Sequence, residues 1–303
     1  MSLPTPAGQP IPDGPPPLAN PRKPKIALPP GACDSHCHIY GPFARFPLPP
    51  ERSFTPNDAP ETALRRLHDH LGFARAVIVQ SQGHGHDHEP LLDALAVGRG
   101  RYRGVALLRP GDNPDLIRRF DAAGICGVRF SFMSHLGFPD LDAVRSVITM
   151  VEPYGWHVAI HVAGSGLIDL EDFIGLIPTP VVIDHMARPD IGEGVEGPVV
   201  RALLRCLENG RVWVKLSGAE RLSKLHAPYE DVAPTVRRLI ANAPERLLWG
   251  SDWPHVNLHG PMPDDGDLVD FLGRLTTPGL RRRILVDNPA AFFGFPAIDA
   301  KTA

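Results

Sequence analysis

Eight short runs rich in valine and isoleucine recur along the chain, each followed by a longer amphipathic stretch. The runs are 32–38, Ala76–Gln80, Gly104–Leu108, Gly127–Phe132, His157–Val162, Val181–Asp184, Val212–Leu216 and Leu247–Gly250. They mostly lack polar alternation, as strands buried on both faces of a parallel sheet do. Helical spacing fills the gaps: Ala59–Leu71, Glu89–Arg99, Asn113–Ala123, Leu141–Tyr154, Asp169–Leu176, Val199–Asn209, Ala233–Asn242 and Asp267–Thr276. Eight strands alternating with helices predict an α/β chain closed as a single (β/α)8 TIM barrel, over residues 31–303. An open doubly wound sheet is the competing architecture, but no GxGxxG opens a helix. Residues 1–30 carry eleven prolines and form a separate segment, an extended Pro-rich leader that is flexible or packed on the barrel.

In such a barrel, reactive side chains gather at the C-terminal ends of the strands. Here those ends read as chemistry. The first run carries His36 and His38, which share one face of an extended strand. The second leads into Gln80 and His84. Arg129 lies in the fourth, His161 ends the fifth, and His185 follows the sixth with Arg188 three residues on. Arg221 follows the seventh; Asp252, with His255 beyond it, follows the eighth. Four imidazoles and a carboxylate converging on one mouth predict either of two mechanisms. In the first, His36, His38, His161, His185 and Asp252 hold one divalent metal, and Asp252 takes a proton from water. In the second, no metal is needed: Asp252 is the general base, and histidines and arginines stabilise the oxyanion. Both open an acyl or lactone carbonyl.

Arg129, Arg188 and Arg221 are the candidate anchors for substrate carboxylates, because guanidinium binds carboxylate through a two-pronged fork. Arg129 stands inside an apolar strand, where a charge needs a partner or a ligand. Gln80, His84 and His255 complete the expected substrate-binding set. His86 and His88 read as incidental loop residues, and His68, His70, His226 and His259 as solvent-facing ones.

Exclusions follow from charge and hydropathy. A net charge of −3 implies no basic face and no nucleic-acid partner. No run of about 18 apolar residues predicts a membrane span, and the first 30 residues lack the apolar core of a signal peptide. Four cysteines, Cys33, Cys37, Cys126 and Cys206, form no CxxC pair and read as core residues of a reducing, cytoplasmic setting. Homo-oligomerisation stays open.

The motifs Asp34-Ser35-His36-Cys37-His38, Ile183-Asp184-His185-Met186-Ala187-Arg188-Pro189-Asp190 and Trp249-Gly250-Ser251-Asp252-Trp253-Pro254-His255, with closing Asn288-Pro289 and Phe292-Phe293, resemble the amidohydrolase superfamily in its amidohydrolase-2 branch. The resemblance runs from about residue 22 to 295. It is nearest to the 2-pyrone-4,6-dicarboxylate hydrolases, through Gly41-Pro42, Phe46-Pro47, 69–75 and Val77-Ile78-Val79-Gln80. It implies lactone opening in aromatic-compound catabolism without a metal. His36, His38 and His185 would surround the carbonyl, Asp252 would be the base, and Arg129, Arg188 and Arg221 would bind carboxylates. The chain departs from that pattern at His161 and Phe54, where the pattern has tyrosines, and at His135, where it has a second arginine. These departures shift the expectation toward a related small anionic lactone, of muconolactone or sugar-acid type, between which the resemblance does not decide, and toward one bound divalent metal, zinc being the expected ion. A metal-dependent decarboxylase of a muconate-type acid and a sugar-acid lactonase are the alternatives.

Overall fold

The computed structural model describes residues 12–133, 138–258 and 260–296. Eight parallel strands form one sheet in sequence order: β1 (Cys33–Cys37), β2 (Arg75–Val79), β3 (Tyr102–Ala106), β4 (Ile125–Ser131), β5 (His157–His161), β6 (Val181–Ile183), β7 (Val212–Lys215) and β8 (Leu247–Leu248). The expected runs match these to within about two residues. Backbone bonds from Ser35 N–H to Trp249 O, His38 N–H to Trp253 O and Asp252 N–H to His36 O, each 2.8 Å, carry the ring from β8 back to β1. The fold is therefore the (β/α)8 barrel.

Eight helices alternate with the strands: α1 (Glu61–Leu71), α2 (Glu89–Gly98), α3 (Pro114–Ala123), α4 (Leu141–Val151), α5 (Gly166–Leu176), α6 (Pro198–Glu208), then, beyond the single turn α7 (Ala219–Leu222), α8 (Ala233–Asn242) and α9 (Asp265–Leu275). Their starts carry physical reasons. Asn113, Asp140 and Asp264 accept a hydrogen bond from the backbone two residues on, which satisfies an otherwise orphaned N–H. Prolines sit in the first turn of α2, α3, α6 and α8, where no N–H is needed.

Strand alternation splits the core in two. Ala76 and Ile78 of β2 face the helices, while Val77 and Val79 join Cys33, Val105, Ala159, Val182 and Leu248 in a separate inner cluster with Phe293 and Phe295. Each large apolar side chain buried this way is worth about 1.5–3 kcal/mol. His68 belongs to this architecture. It is fully buried on the inner face of α1, bonded through Nε2 to Asp34 Oδ2 at 3.1 Å, which corrects the solvent-facing expectation. Its spacing from Leu64 and Leu71 places it on the apolar stripe. The four cysteines are free. No helix among the described residues is long and apolar enough to cross a membrane.

Candidate active site

Backbone geometry delivers the strand-end residues to one mouth. Asp34, fully buried, ties β1 to the chain after β8: Oδ1 accepts from Ser251 N–H (3.0 Å) and His36 N–H (3.1 Å), and Oδ2 from Ser251 Oγ (2.5 Å). Gly250 lies so close to His36 that any Cβ would collide with it, so only glycine lets the end of β8 approach β1. His185, Met186, Ala187 and Arg188 are four successive residues with φ of 46–53°, and Asp252 and His255 lie at 63° and 60°. Left-handed backbone costs non-glycine residues roughly 1–2 kcal/mol each, and here it is concentrated on the two loops that present His185, Arg188 and Asp252. Gly164 N–H, bonded to Ala187 O at 2.8 Å, braces the first of them.

A cavity of about 560 Å³ opens at this mouth; its lining includes His38, Phe54, Arg129, His161, His185, Arg188, Arg221 and Asp252. Asp252 is its centre. Oδ1 lies 3.3 Å from His38 Nε2, 3.6 Å from His36 Nε2 and 3.8 Å from His185 Nε2. Oδ2 accepts from Arg221 Nε at 2.6 Å. Burial alone would push the Asp252 carboxyl up; Arg221 and His185 overcome this and hold it well below the ordinary carboxylate range. Burial keeps the imidazoles of His36 (down to about 3), His161 and His185 neutral at pH 7.

The donor set fits a divalent ion. His38 Nδ1 is 2.8 Å from Val79 O and so carries the proton that donates to it. Its Nε2 then faces Asp252 Oδ1 at 3.3 Å, a separation that a proton or a cation between the two atoms would bridge. His36 Nε2 and His161 Nε2 are buried with no hydrogen-bond partner among the described residues. His36, His38 and Asp252 form one group whose ligand atoms lie within 4.8 Å of one another, and His36, Asp184 and His185 form another. His161 belongs to neither group. Its Nδ1 lies 3.2 Å from Ser131 Oγ, and its ring centroid is 5.6 Å from that of His185.

Beneath the mouth lies a charge cluster that sequence reasoning missed. Lys215, the last residue of β7 and fully buried, places Nζ 2.9 Å from His36 Nδ1 and 3.1 Å from Asp184 Oδ1. Arg129 Nε donates to Asp184 Oδ2 at 2.8 Å. Burial opposes ionisation of Asp184, but Lys215, His36 and Arg129 hold its carboxyl well below the usual range. The signal was available: Lys215 sits between Val214 and Leu216, and a charge inside an apolar strand needs a partner.

The three arginines differ in what they have left to offer. Arg221 spends Nε on Asp252 and a terminal nitrogen on Val256 O (3.0 Å), so it braces the base more than it faces solvent. Arg129 is paired through Nε and lines the cavity. Arg188 makes no ion pair among the described residues; its Nε is buried without a partner, and burial, reinforced by Arg221, lowers its pKa to about 10. Gln80, His84 and His255 lie outside the cavity wall. Gln80 Nε2 donates to Gly85 O (2.9 Å) and Asp87 O (2.7 Å), which leaves Ser81 and Gln82 to reach the cavity. His84 Nε2 accepts from Gly41 N–H at 3.2 Å, and His255 Nε2 is 3.0 Å from Asp265 Oδ1. His88 is likewise structural, accepting from Leu107 N–H at 3.1 Å through Nε2. Phe54 lines the wall; His135 and His259 lie outside the described residues.

A (β/α)8 barrel with clustered imidazoles, an aspartate and arginines around one cavity has the equipment of a hydrolase acting on an anionic substrate. The chain belongs to the amidohydrolase family, whose model matches residues 33–295. It is 42% identical over 286 residues to the 2-pyrone-4,6-dicarboxylate hydrolase of Comamonas testosteroni, covering 91% of this chain and 94% of that one. Against the 4-sulfomuconolactone hydrolase of Hydrogenophaga intermedia it is 35% identical over 275 residues, 89% and 91% of the two chains. A solved structure from Agrobacterium tumefaciens superposes with a TM-score of 0.81 at 32% identity, covering 91% of this chain and all of that one.

Proposed function

We propose that the protein is a hydrolase that opens the ester bond of a small anionic lactone, of the 2-pyrone-4,6-dicarboxylate or muconolactone type, in the breakdown of aromatic compounds. The observation that carries this is Asp252 Oδ1 facing three imidazole Nε2 atoms in a cavity that also holds Arg188 without an acidic partner. Hydrolysis of a buried anionic ester calls for a fixed proton acceptor beside the carbonyl and an anchor for the substrate anion, roles that Asp252 and Arg188 would fill.

Arg188 anchors a substrate carboxylate or sulfonate, and Arg129 adds its terminal nitrogens to the same wall. Asp252 Oδ1 takes a proton as water oxygen bonds to the lactone carbonyl carbon. The ring C–O bond then breaks, and Asp252 returns the proton to the departing ring oxygen; the new carboxyl group, which keeps the other proton of the water, releases it to solvent and becomes a carboxylate. Arg221 prevents the carboxylate from rotating by holding Oδ2. Lys215 and Asp184 hold His36 beside Asp252. His36, His38, His185 and Asp252, with His161 at a wider distance, would hold one divalent ion, zinc by the chemistry of its nitrogen donors. When bound, such an ion polarises the carbonyl and acidifies water.

The test is ring opening of 2-pyrone-4,6-dicarboxylate, muconolactone and 4-sulfomuconolactone by the purified protein, with elemental analysis before and after chelation. Turnover of at least one of them supports the reading, and loss of metal and activity together on chelation supports the ion. Turnover that ignores the chelator assigns catalysis to the side chains alone. Failure on all three, by a folded protein, contradicts the reading.

A further inference from the structure

The described part of the leader reaches the rim of the cavity. Near the barrel flank, Arg22 N–H donates to both oxygens of Asp264 (3.0 and 2.9 Å), and Lys25 N–H donates to Asp270 Oδ1 (2.7 Å). Further upstream, Asp13 clasps Thr55 twice: Asp13 N–H donates to Thr55 O at 2.9 Å, and Thr55 N–H to Asp13 Oδ2 at 2.5 Å. Asn57 Nδ2 donates to Gly14 O at 3.0 Å. The segment between Pro42 and Pro60 contains no helix or strand; a single bridge pairs Ala59 with Tyr40. Both backbone groups of Thr55 are thus satisfied by the leader rather than by the barrel.

What Thr55 positions is its neighbour. Phe54 stands in the wall of the main cavity and packs edge-on to Tyr40, ring centroids 6.1 Å apart. Phe54, Val256 and Asn257 also line a second cavity of about 180 Å³, whose other side is Asp13, Gly14, Pro15 and Pro17. One partition therefore separates the two cavities, and the leader stands behind it.

We infer that Asp13 is a specificity-determining positioning residue: its clasp on Thr55 fixes Phe54 as the wall against which the substrate ring is bound. The kinetic arm of its test rests on the lactone-hydrolase reading; the exchange arm does not. Asp13→Ala and Asp13→Asn are compared in the full chain, using 2-pyrone-4,6-dicarboxylate kinetics and amide hydrogen exchange across 53–57. A lost charge-assisted bond of about 1.4 kcal/mol corresponds to a tenfold change. Asp13→Ala is expected to raise KM about tenfold with kcat within about twofold, and to speed exchange across 53–57 about tenfold. Asp13→Asn, whose amide oxygen still accepts from Thr55 but without the charge, is expected to recover about half of each effect on a logarithmic scale. Unchanged exchange in Asp13→Ala overturns the clasp. Faster exchange with unchanged KM overturns the role in specificity, and an Asn variant that behaves like Ala overturns the hydrogen-bond origin. Should the wild type open no lactone, the functional reading falls, and the exchange arm still decides the clasp.

Discussion

Replacing His157 with leucine should stabilise the protein, and should do so more in acid than at neutrality. His157 starts β5 at the floor of the barrel, with Phe292 and Phe293 at ring-centroid distances of 4.9 and 5.3 Å. Its ring rests on Gly127, where an added Cβ would collide with it. Neither ring nitrogen makes a hydrogen bond of good geometry among the described residues, and burial, opposed only in part by the nearby Cys126 backbone, lowers its pKa to about 3. The unfolded imidazole titrates near 6.5. A folded pKa depressed below the unfolded one gives stability that is complete above about 6.5 and is lost as pH falls toward 3. At pH 5 the unfolded ring is protonated and the folded one is not. The gap of about 1.5 units, at about 1.4 kcal/mol each, costs the wild type about 2 kcal/mol relative to neutral pH. Leucine carries no such proton and also removes two unsatisfied polar atoms, worth about 1 kcal/mol or more at any pH. Urea unfolding followed by tryptophan fluorescence at pH 7 and pH 5 measures both quantities. A gain larger by about 2 kcal/mol at pH 5 is expected. An equal effect at the two pH values would refute the buried, neutral state of the ring.

Other consequences are more local. Arg188→Met should raise KM for an anionic lactone about 10- to 100-fold, the worth of a charge-assisted pair, without lowering the melting temperature; unaltered KM would remove Arg188 as the anchor. Asp34→Asn should cost about 2–4 kcal/mol of unfolding free energy, since four hydrogen bonds converge on that carboxylate, and a loss under about 1 kcal/mol would show that the closure between β1 and the Ser251 loop is held elsewhere. His161→Tyr should lower the metal content of the purified protein, and unchanged content places His161 outside the ligand set.

The barrel was legible because its strands are buried on both faces, so that valine and isoleucine runs stand out against amphipathic helices. The mouth was legible for a related reason: a strand end is the last position before a loop, and the histidines at the ends of the first, fifth and sixth strands have no packing explanation. What escaped was the partner network. Asp184 adjoins His185 and Asp34 lies two residues before His36, while Lys215 adjoins only apolar residues, and key partners are distant in sequence: Lys215 meets His36, and Asp34 meets Ser251. Gln80 and His84 follow the second strand as expected, yet the turn there directs Ser81 and Gln82 into the cavity instead. Arg221 reads as a free cation in sequence because nothing local reveals that Asp252 Oδ2 lies 2.6 Å from its Nε.

The central claim is that Asp252 takes the proton from water during lactone opening. Single-turnover ring opening by Asp252→Asn, beside the wild type with matching circular dichroism and melting temperature, tests it most directly. Asparagine keeps the shape and one acceptor oxygen but cannot accept the proton, so a rate loss of at least about 10²–10⁴-fold is predicted for loss of general base catalysis. A folded Asp252→Asn variant that opens the ring within about tenfold of the wild-type rate would contradict the account.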